Sequence, residues 1–320
     1  MAFVSIPYEL IAADGSRAVV GNSDAAAADP DFVGYLDAES GITGLLDRAG
    51  VRESATDLVE ADGASHGPFW LSRRSGTITG LLFVGGLDPT IVANAESKLK
   101  RATRWLREDG VIRWTPPNAS SPRQLRCRVQ DGPRITARRP KAFQVTLVST
   151  DPYALSVTEN SATISAALQS SVEVTIADPF TDPVGVSSTV GRGIPNPIPE
   201  PIISNEQAAN QTLVMITNAG DAPTWPRFRI TGPVTDPTLL NNSTGESWSL
   251  SYTLAAGEFL DVYPQRGRIL AGGTADRYSA LDFIDSTWWQ LQPGDNDVRL
   301  LATAYSAGAE FTIYWRDAYE

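Results

Sequence analysis

Short stretches of alternating apolar and polar residues run along most of this chain, each closed by a Gly, Pro or Asn turn. They are clearest in the C-terminal third. There Arg227-Phe228-Arg229-Ile230, Ser247-Trp248-Ser249-Leu250-Ser251-Tyr252 and Phe259-Leu260-Asp261-Val262-Tyr263 each turn one face to a core and the other to water. They lie between Asn218-Ala219-Gly220-Asp221-Ala222-Pro223-Thr224-Trp225-Pro226 and Ser286-Thr287-Trp288-Trp289-Gln290-Leu291-Gln292-Pro293-Gly294-Asp295-Asn296. Period-two segments with turn signals roughly every 8–12 residues predict an antiparallel sandwich or jelly roll.

The N-terminal half is patterned less evenly. Residues 1–60 alternate weakly around an Ala/Asp-rich stretch, residues 23–31, which reads as a mobile or interfacial loop. Strands are expected at Phe69-Trp70-Leu71, Gly76 to Val84, Val111 to Trp114, Arg123 to Gln130 and Phe143 to Val148. One helix, 89–109, is expected among them, with Asp88 as N-cap, Pro89 at the first helical position and Gly110 as its stop. Ile91, Ala95, Leu99, Ala102 and Leu106 form its apolar stripe, which packs on a sheet, while Lys98, Lys100, Arg101, Arg104 and Arg107 take other faces. Asp151-Pro152-Tyr153 breaks the run and predicts two domains, 1–155 and 156–320. The second contains a Pro-rich stretch, residues 178–203, that cannot donate enough backbone hydrogen bonds to sit inside a sheet and reads as an extended loop.

Charge adds an asymmetry. The 320 residues carry a formal charge of −11 with a pI near 4.7, which argues against nucleic acid as a partner. The window Arg73 to Lys141 nevertheless holds 15 Lys/Arg against 5 Asp/Glu, or +10, and leaves −21 for the rest. Such a division favours self-association or docking on an acidic neighbour. Cys127 is the single cysteine, so no intrachain disulfide can form. Met1 to Leu10 lacks the basic start and apolar run of a signal peptide, and no stretch approaches the roughly 18 apolar residues of a spanning helix. A soluble protein made in a cytoplasm, with no membrane insertion, is the expectation.

In this order the elements carry a family likeness. The chain resembles the distal tail proteins of long, non-contractile-tailed bacteriophages. The likeness rests on a strand-rich first part with one helix before Trp114, on Thr150-Asp151-Pro152-Tyr153 ending a strand, and on the second β domain. That domain runs from Asn218-Ala219-Gly220 and Pro226 through Gly257-Glu258 to Trp288-Trp289-Gln290-Leu291-Gln292-Pro293-Gly294-Asp295-Asn296. The resemblance implies a mainly β protein: an N-terminal β-sandwich with one α-helix, and a C-terminal jelly-roll or lectin-like sandwich. It further implies a homo-hexameric ring at the virion tail tip, joining the tail tube protein to the baseplate hub, tail-associated protein or tail fibre.

No enzyme and no cofactor are expected. A nucleophile–histidine pair would have to use His66, which lies in the turn-like Asp62-Gly63-Ala64-Ser65-His66-Gly67-Pro68. Cys127 sits between Arg126 and Arg128, but alternation puts those cations on the opposite strand face, leaving a buried, inert thiol. One His and one Cys exclude the usual zinc sets, and Asp295-Asn296-Asp297 lacks the full calcium-loop pattern and reads as a turn. The remaining candidate chemistry is stacking of a host glycan on an aromatic ring. Trp288 and Trp289 are neighbours, so on a strand one would face in and the other out.

Overall fold

The computed structural model describes residues 6–37, 41–57, 64–82, 88–104, 109–117, 119–137, 140–165, 211–306 and 308–320. The chain divides into two compact units: Met1–Thr158 with Ala318–Glu320, and Glu159–Asp317. The second is thus inserted near the end of the first.

Unit 1 contains β1 (Tyr8–Ile11), β2 (Arg17–Val20), helix α1 (Asp24–Ala27), β3 (Phe32–Leu36), β4 (Ile42–Thr43), β5 (Val51–Asp57), β6 (Ala64–Leu71) and β7 (Arg74–Leu82). Helix α2 (Pro89–Ala102), β8 (Gly110–Trp114), β9 (Arg123–Ile135), β10 (Lys141–Ser149) and β11 (Ala154–Ser156) follow. Unit 2 contains β12 (Asn160–Ser165), β13 (Gln211–Asn218), β14 (Arg227–Thr231), β15 (Val234–Thr235), β16 (Thr238–Asn241), β17 (Glu246–Ser249), β18 (Thr253–Leu254) and β19 (Phe259–Tyr263). It continues through β20 (Arg268–Ala271), β21 (Ala275–Asp276), β22 (Gly294–Leu301), β23 (Ala304–Tyr305) and β24 (Glu310–Trp315), after which β25 (Ala318–Tyr319) belongs to unit 1.

The strands of unit 1 run in the order β10-β7-β3-β2-β1-β8-β9-β11-β25, and β10 also pairs with β9. This last pairing closes the sheet on itself. Strand β9 makes the closure: Arg123 to Cys127 pair with β8, whereas Arg128 to Ile135 pair with β10 through register shifts between Gln144 and Leu147. Bulges of this kind bend a strand and let it serve two sheets. Leu10, Val20, Ile78, Ile112, Leu125, Phe143, Val145 and Leu147 fill the interior. Gly80 permits this packing, because a Cβ there would lie 2.3 Å from the Tyr35 carbonyl oxygen and 2.8 Å from the Phe143 ring. Separately, β5 and β6 pair only with each other among the described strands.

Helix α2 begins as its sequence predicts, with the Asp88 carboxylate accepting a hydrogen bond from the Thr90 N–H at 2.8 Å. It ends sooner. Thr103 leaves the helical conformation at φ −107°, its hydroxyl donates to the Leu99 carbonyl at 2.7 Å, and Gly110 opens β8 rather than stopping the helix. The expected stripe residue Leu106 lies outside the described residues. The buried face is Val92, Ala95, Leu99 and Ala102, while Ile91 is 38% exposed. At about 100° per residue, Ile91 and Val92 flank opposite sides of the line through Ala95, Leu99 and Ala102, so spacing alone does not choose between them.

The Ala/Asp stretch is fastened, against expectation. Ser23 Oγ accepts from the Ala26 N–H at 3.1 Å as the cap of α1, and Ala26 is buried with Val19 and Phe32.

Unit 2 is built from a six-stranded sheet, β12-β24-β14-β19-β20-β21, a four-stranded sheet, β13-β22-β16-β17, and a small sheet, β18-β15-β23. Alternation decides which side chains enter the core: Phe228 and Ile230 of β14 and Phe311 and Ile313 of β24 are buried, as is Trp248 of β17. Phe228 is the hub, with ring centroids 5.2 Å from Trp248, 5.2 Å from Trp289 and 5.8 Å from Phe311. Its Pro-rich stretch, 178–203, lies outside the described residues.

Candidate assembly and ligand surfaces

The basic window is less free than its composition suggests. Arg17 of β2 donates to both oxygens of Asp29 at 2.8 Å and to Glu9 at 2.8 Å, and lies 3.4 Å from Asp31. Lys98 of α2 pairs with Asp31 at 3.2 Å, and Arg113 of β8 with Glu9 at 3.6 Å. The acidic first strands and the basic window thus meet inside one unit. Arg17 holds the Asp29 carboxyl below its ordinary range, chiefly through these hydrogen bonds. Lys100 and Lys141 share Glu96, Arg128 takes Asp109, and Arg134 takes Asp131. Arg73, Arg101, Arg104 and Arg126 are exposed and make no ion pair among the described residues. By sequence, unit 1 carries 18 basic and 19 acidic residues, a charge of −1, while unit 2 carries 8 and 18, a charge of −10.

The two nucleophile candidates lie on different strands of unit 1. His66 lies on β6 opposite Ala55, in a strand rather than the turn its neighbours suggest; pairing with β5 overrides the local Gly and Pro signals. Cys127 is 1% exposed inside unit 1, with Arg126 and Arg128 on the opposite face. Burial pushes its thiol pKa far above the usual value, with Asp151 and Asp109 adding to the effect.

In unit 2 the two turn motifs that frame the sequence pattern come together. Asn218 of β13 lies opposite Gly294 of β22, and Thr224 and Leu291 exchange two backbone hydrogen bonds at 2.9 Å. Two buried amides clamp the turns. Asn218 Nδ2 donates to the Ala222 carbonyl at 2.8 Å, and Asn296 Oδ1 accepts from the Gln292 N–H at 2.8 Å while its Nδ2 donates to the Gln292 carbonyl at 2.7 Å. Asp295 accepts from the Thr217 hydroxyl at 2.6 Å and Asp297 from Asn242 Nδ2 at 3.2 Å. One oxygen of each aspartate and the Asn296 amide oxygen are thereby engaged in the fold, and the described residues contain no cluster of three acidic, His or Cys side chains suited to a metal.

Trp288 and Trp289 are not on a strand, so the expected alternation has no ladder to act through. Both lie in the irregular segment before β22. Trp289 is 1% exposed beside Phe228, and Trp288 is half-buried with its ring 5.5 Å from Trp248. A recess lined by Ile164, Ile230, Val234, Leu300 and Phe311 holds about 10 Å³, room for one water and not for a sugar ring.

The outward side of the six-stranded sheet carries an arrangement that single-strand reading missed. Arg227 lies 3.7 Å over the Tyr314 ring and donates to both oxygens of Glu159, and Arg229 lies 4.5 Å over the Phe259 ring. Arg227 and Tyr314 are direct cross-strand partners, so pairing β14 with β24 would have revealed the stack.

Unit 2 is thus a three-sheet β domain whose framing turns are held by buried asparagines. Residues 219–319 match the family described as Siphovirus-type tail component, C-terminal domain. The Dit protein of phage SPP1, described as a paradigm of the hub adsorption apparatus in phages infecting Gram-positive hosts, is 15% identical. That match covers 87% of this chain and 92% of that one, with a TM-score of 0.54, and shows a shared fold. A chain of the phage P2 baseplate in its activated conformation is 9% identical over 98% of both chains, with a TM-score of 0.43. No curated protein matches the sequence. Residues 219–319 are thus similar to a siphovirus-type tail-component domain, and the chain shares its fold with a distal tail protein, in line with the resemblance read from the sequence.

Proposed function

We propose that this protein is a structural component of a bacteriophage tail tip, synthesised in the bacterial host and assembled into the virion. Its subunits form a homo-hexameric ring that joins the tail tube to the baseplate hub or tail fibre. The observation that carries this reading is the match of residues 219–319 to a tail-component domain. The described residues support it, because their polar side chains are spent on holding strands and turns rather than on a reacting centre. Exposed Arg73, Arg101, Arg104 and Arg126 are the cations available to an acidic surface of a neighbouring subunit, and unit 2 supplies such a surface with its charge of −10. Mass photometry of the purified full chain tests the ring: particles of six subunits support it, and a monomer at every concentration overturns it. Recognition of host glycans is the alternative, with half-buried Trp288 the accessible ring of the pair.

A further inference from the structure

The segment Ala318–Glu320 is fixed to unit 1 by four separate features. Strand β25 pairs with β11 through Ala154↔Tyr319 and Leu155↔Ala318. Ala318 is 0% exposed, the Arg123 guanidinium lies 3.8 Å over the Tyr319 ring, and Arg48 pairs with the Glu320 carboxylate at 3.0 Å.

From this geometry we infer that Ala318–Glu320 is a latch: a strand supplied from beyond unit 2 that completes the sheet of unit 1 and ties its carboxylate to Arg48. Without it, β11 presents an open edge, which invites pairing with other chains, and Arg48 loses the Glu320 carboxylate. Completion of the assembly domain then depends on residues made after the whole of unit 2. An N-terminal piece such as 1–158 is unfinished, so incomplete or clipped chains are kept from entering a ring in native form. The latch itself stands on unit 1 alone, whereas its consequence for entry into a ring rests on the proposed tail function.

Hydrogen exchange of the full chain against a chain ending at Asp317 tests it. The latch requires peptides covering Ala154–Ser156 to exchange at least tenfold faster after truncation, with the β13–β22 ladder unchanged. Equal exchange at Ala154–Ser156 overturns it. If the truncated chain does not fold, Tyr319→Ala in the full chain replaces it with the same two readings.

Discussion

Arg229 and Asp261 face each other across the β14–β19 ladder and are joined by two hydrogen bonds, Nε to Oδ1 at 2.7 Å and Nη2 to Oδ2 at 2.9 Å. Their burial is unequal, with the arginine side chain 41% exposed and the aspartate 5%. The pair therefore breaks asymmetrically. Arg229→Ala leaves a buried carboxylate without its cation and is expected to cost about 3–5 kcal/mol, whereas Asp261→Ala leaves an arginine that water can reach and costs less. Urea unfolding of the two variants checks the order; equal losses would show that the aspartate is better solvated than its burial implies.

The helix face of unit 1 is tested by a charge placed at either of two α2 positions about two turns apart. Leu99→Asp buries a carboxylate where the side chain is 0% exposed, and should yield insoluble or unfolded protein. Ile91→Asp should be tolerated, since Ile91 is 38% exposed. Soluble expression and circular dichroism separate the outcomes, and a tolerated Leu99→Asp would mean that α2 does not pack through this stripe.

Acid should loosen the carboxylate anchors. Asp29 is held below its ordinary range by Arg17, Glu96 by Lys100 and Lys141, and Glu159 by Arg227. A depressed folded-state pKa contributes stability that is complete above the unfolded value and is lost as pH falls through the folded one. Since unfolded carboxylates titrate near about 4, melting temperature should hold through neutral pH and decline below that value. Arg17→Met should flatten part of the decline; an unaltered acid limb would remove Asp29 from the account.

Assembly through exposed cations should respond to salt. Charges beyond about 8–10 Å are screened near physiological ionic strength, so raising salt should shift the proposed ring toward smaller species. Arg126→Glu should do the same at low salt, because Arg126 is exposed on β9 and makes no ion pair within the described residues. Analytical ultracentrifugation across a salt series checks both. A ring indifferent to salt and to this substitution would be held by apolar packing.

What the sequence disclosed follows the reach of each interaction. Arg227-Phe228-Arg229-Ile230 shows its buried face because alternation is local, and Asp88-Pro89 shows the start of α2 because capping is local. The closing of unit 1 was hidden, since it depends on β9 changing partner from β8 to β10, and no short window contains all three strands. Strand β25 has two residues and no period to read, so its return to β11 left no trace in the pattern. The strand alternation invoked for the tryptophan pair does not apply for a related reason: adjacent residues alternate in this way only on a strand, and Trp288 and Trp289 occupy irregular chain.

That last difference sharpens the test between the structural and glycan readings. Trp289 fills the core beside Phe228 at 1% exposure, so Trp289→Ala should cost about 3–5 kcal/mol of stability in unit 2. Trp288 packs on Trp248 but keeps part of its surface in water, so Trp288→Ala should cost clearly less. If the domain is a scaffold, the full chain should show no saturable signal on a glycan array, and Trp288→Ala should change nothing there. Saturable binding that disappears with Trp288→Ala while Tm stays within a few degrees would move the function of this surface to host recognition. Loss of binding with Trp289→Ala alone would carry no such meaning, because a core cavity of that size perturbs every loop around it.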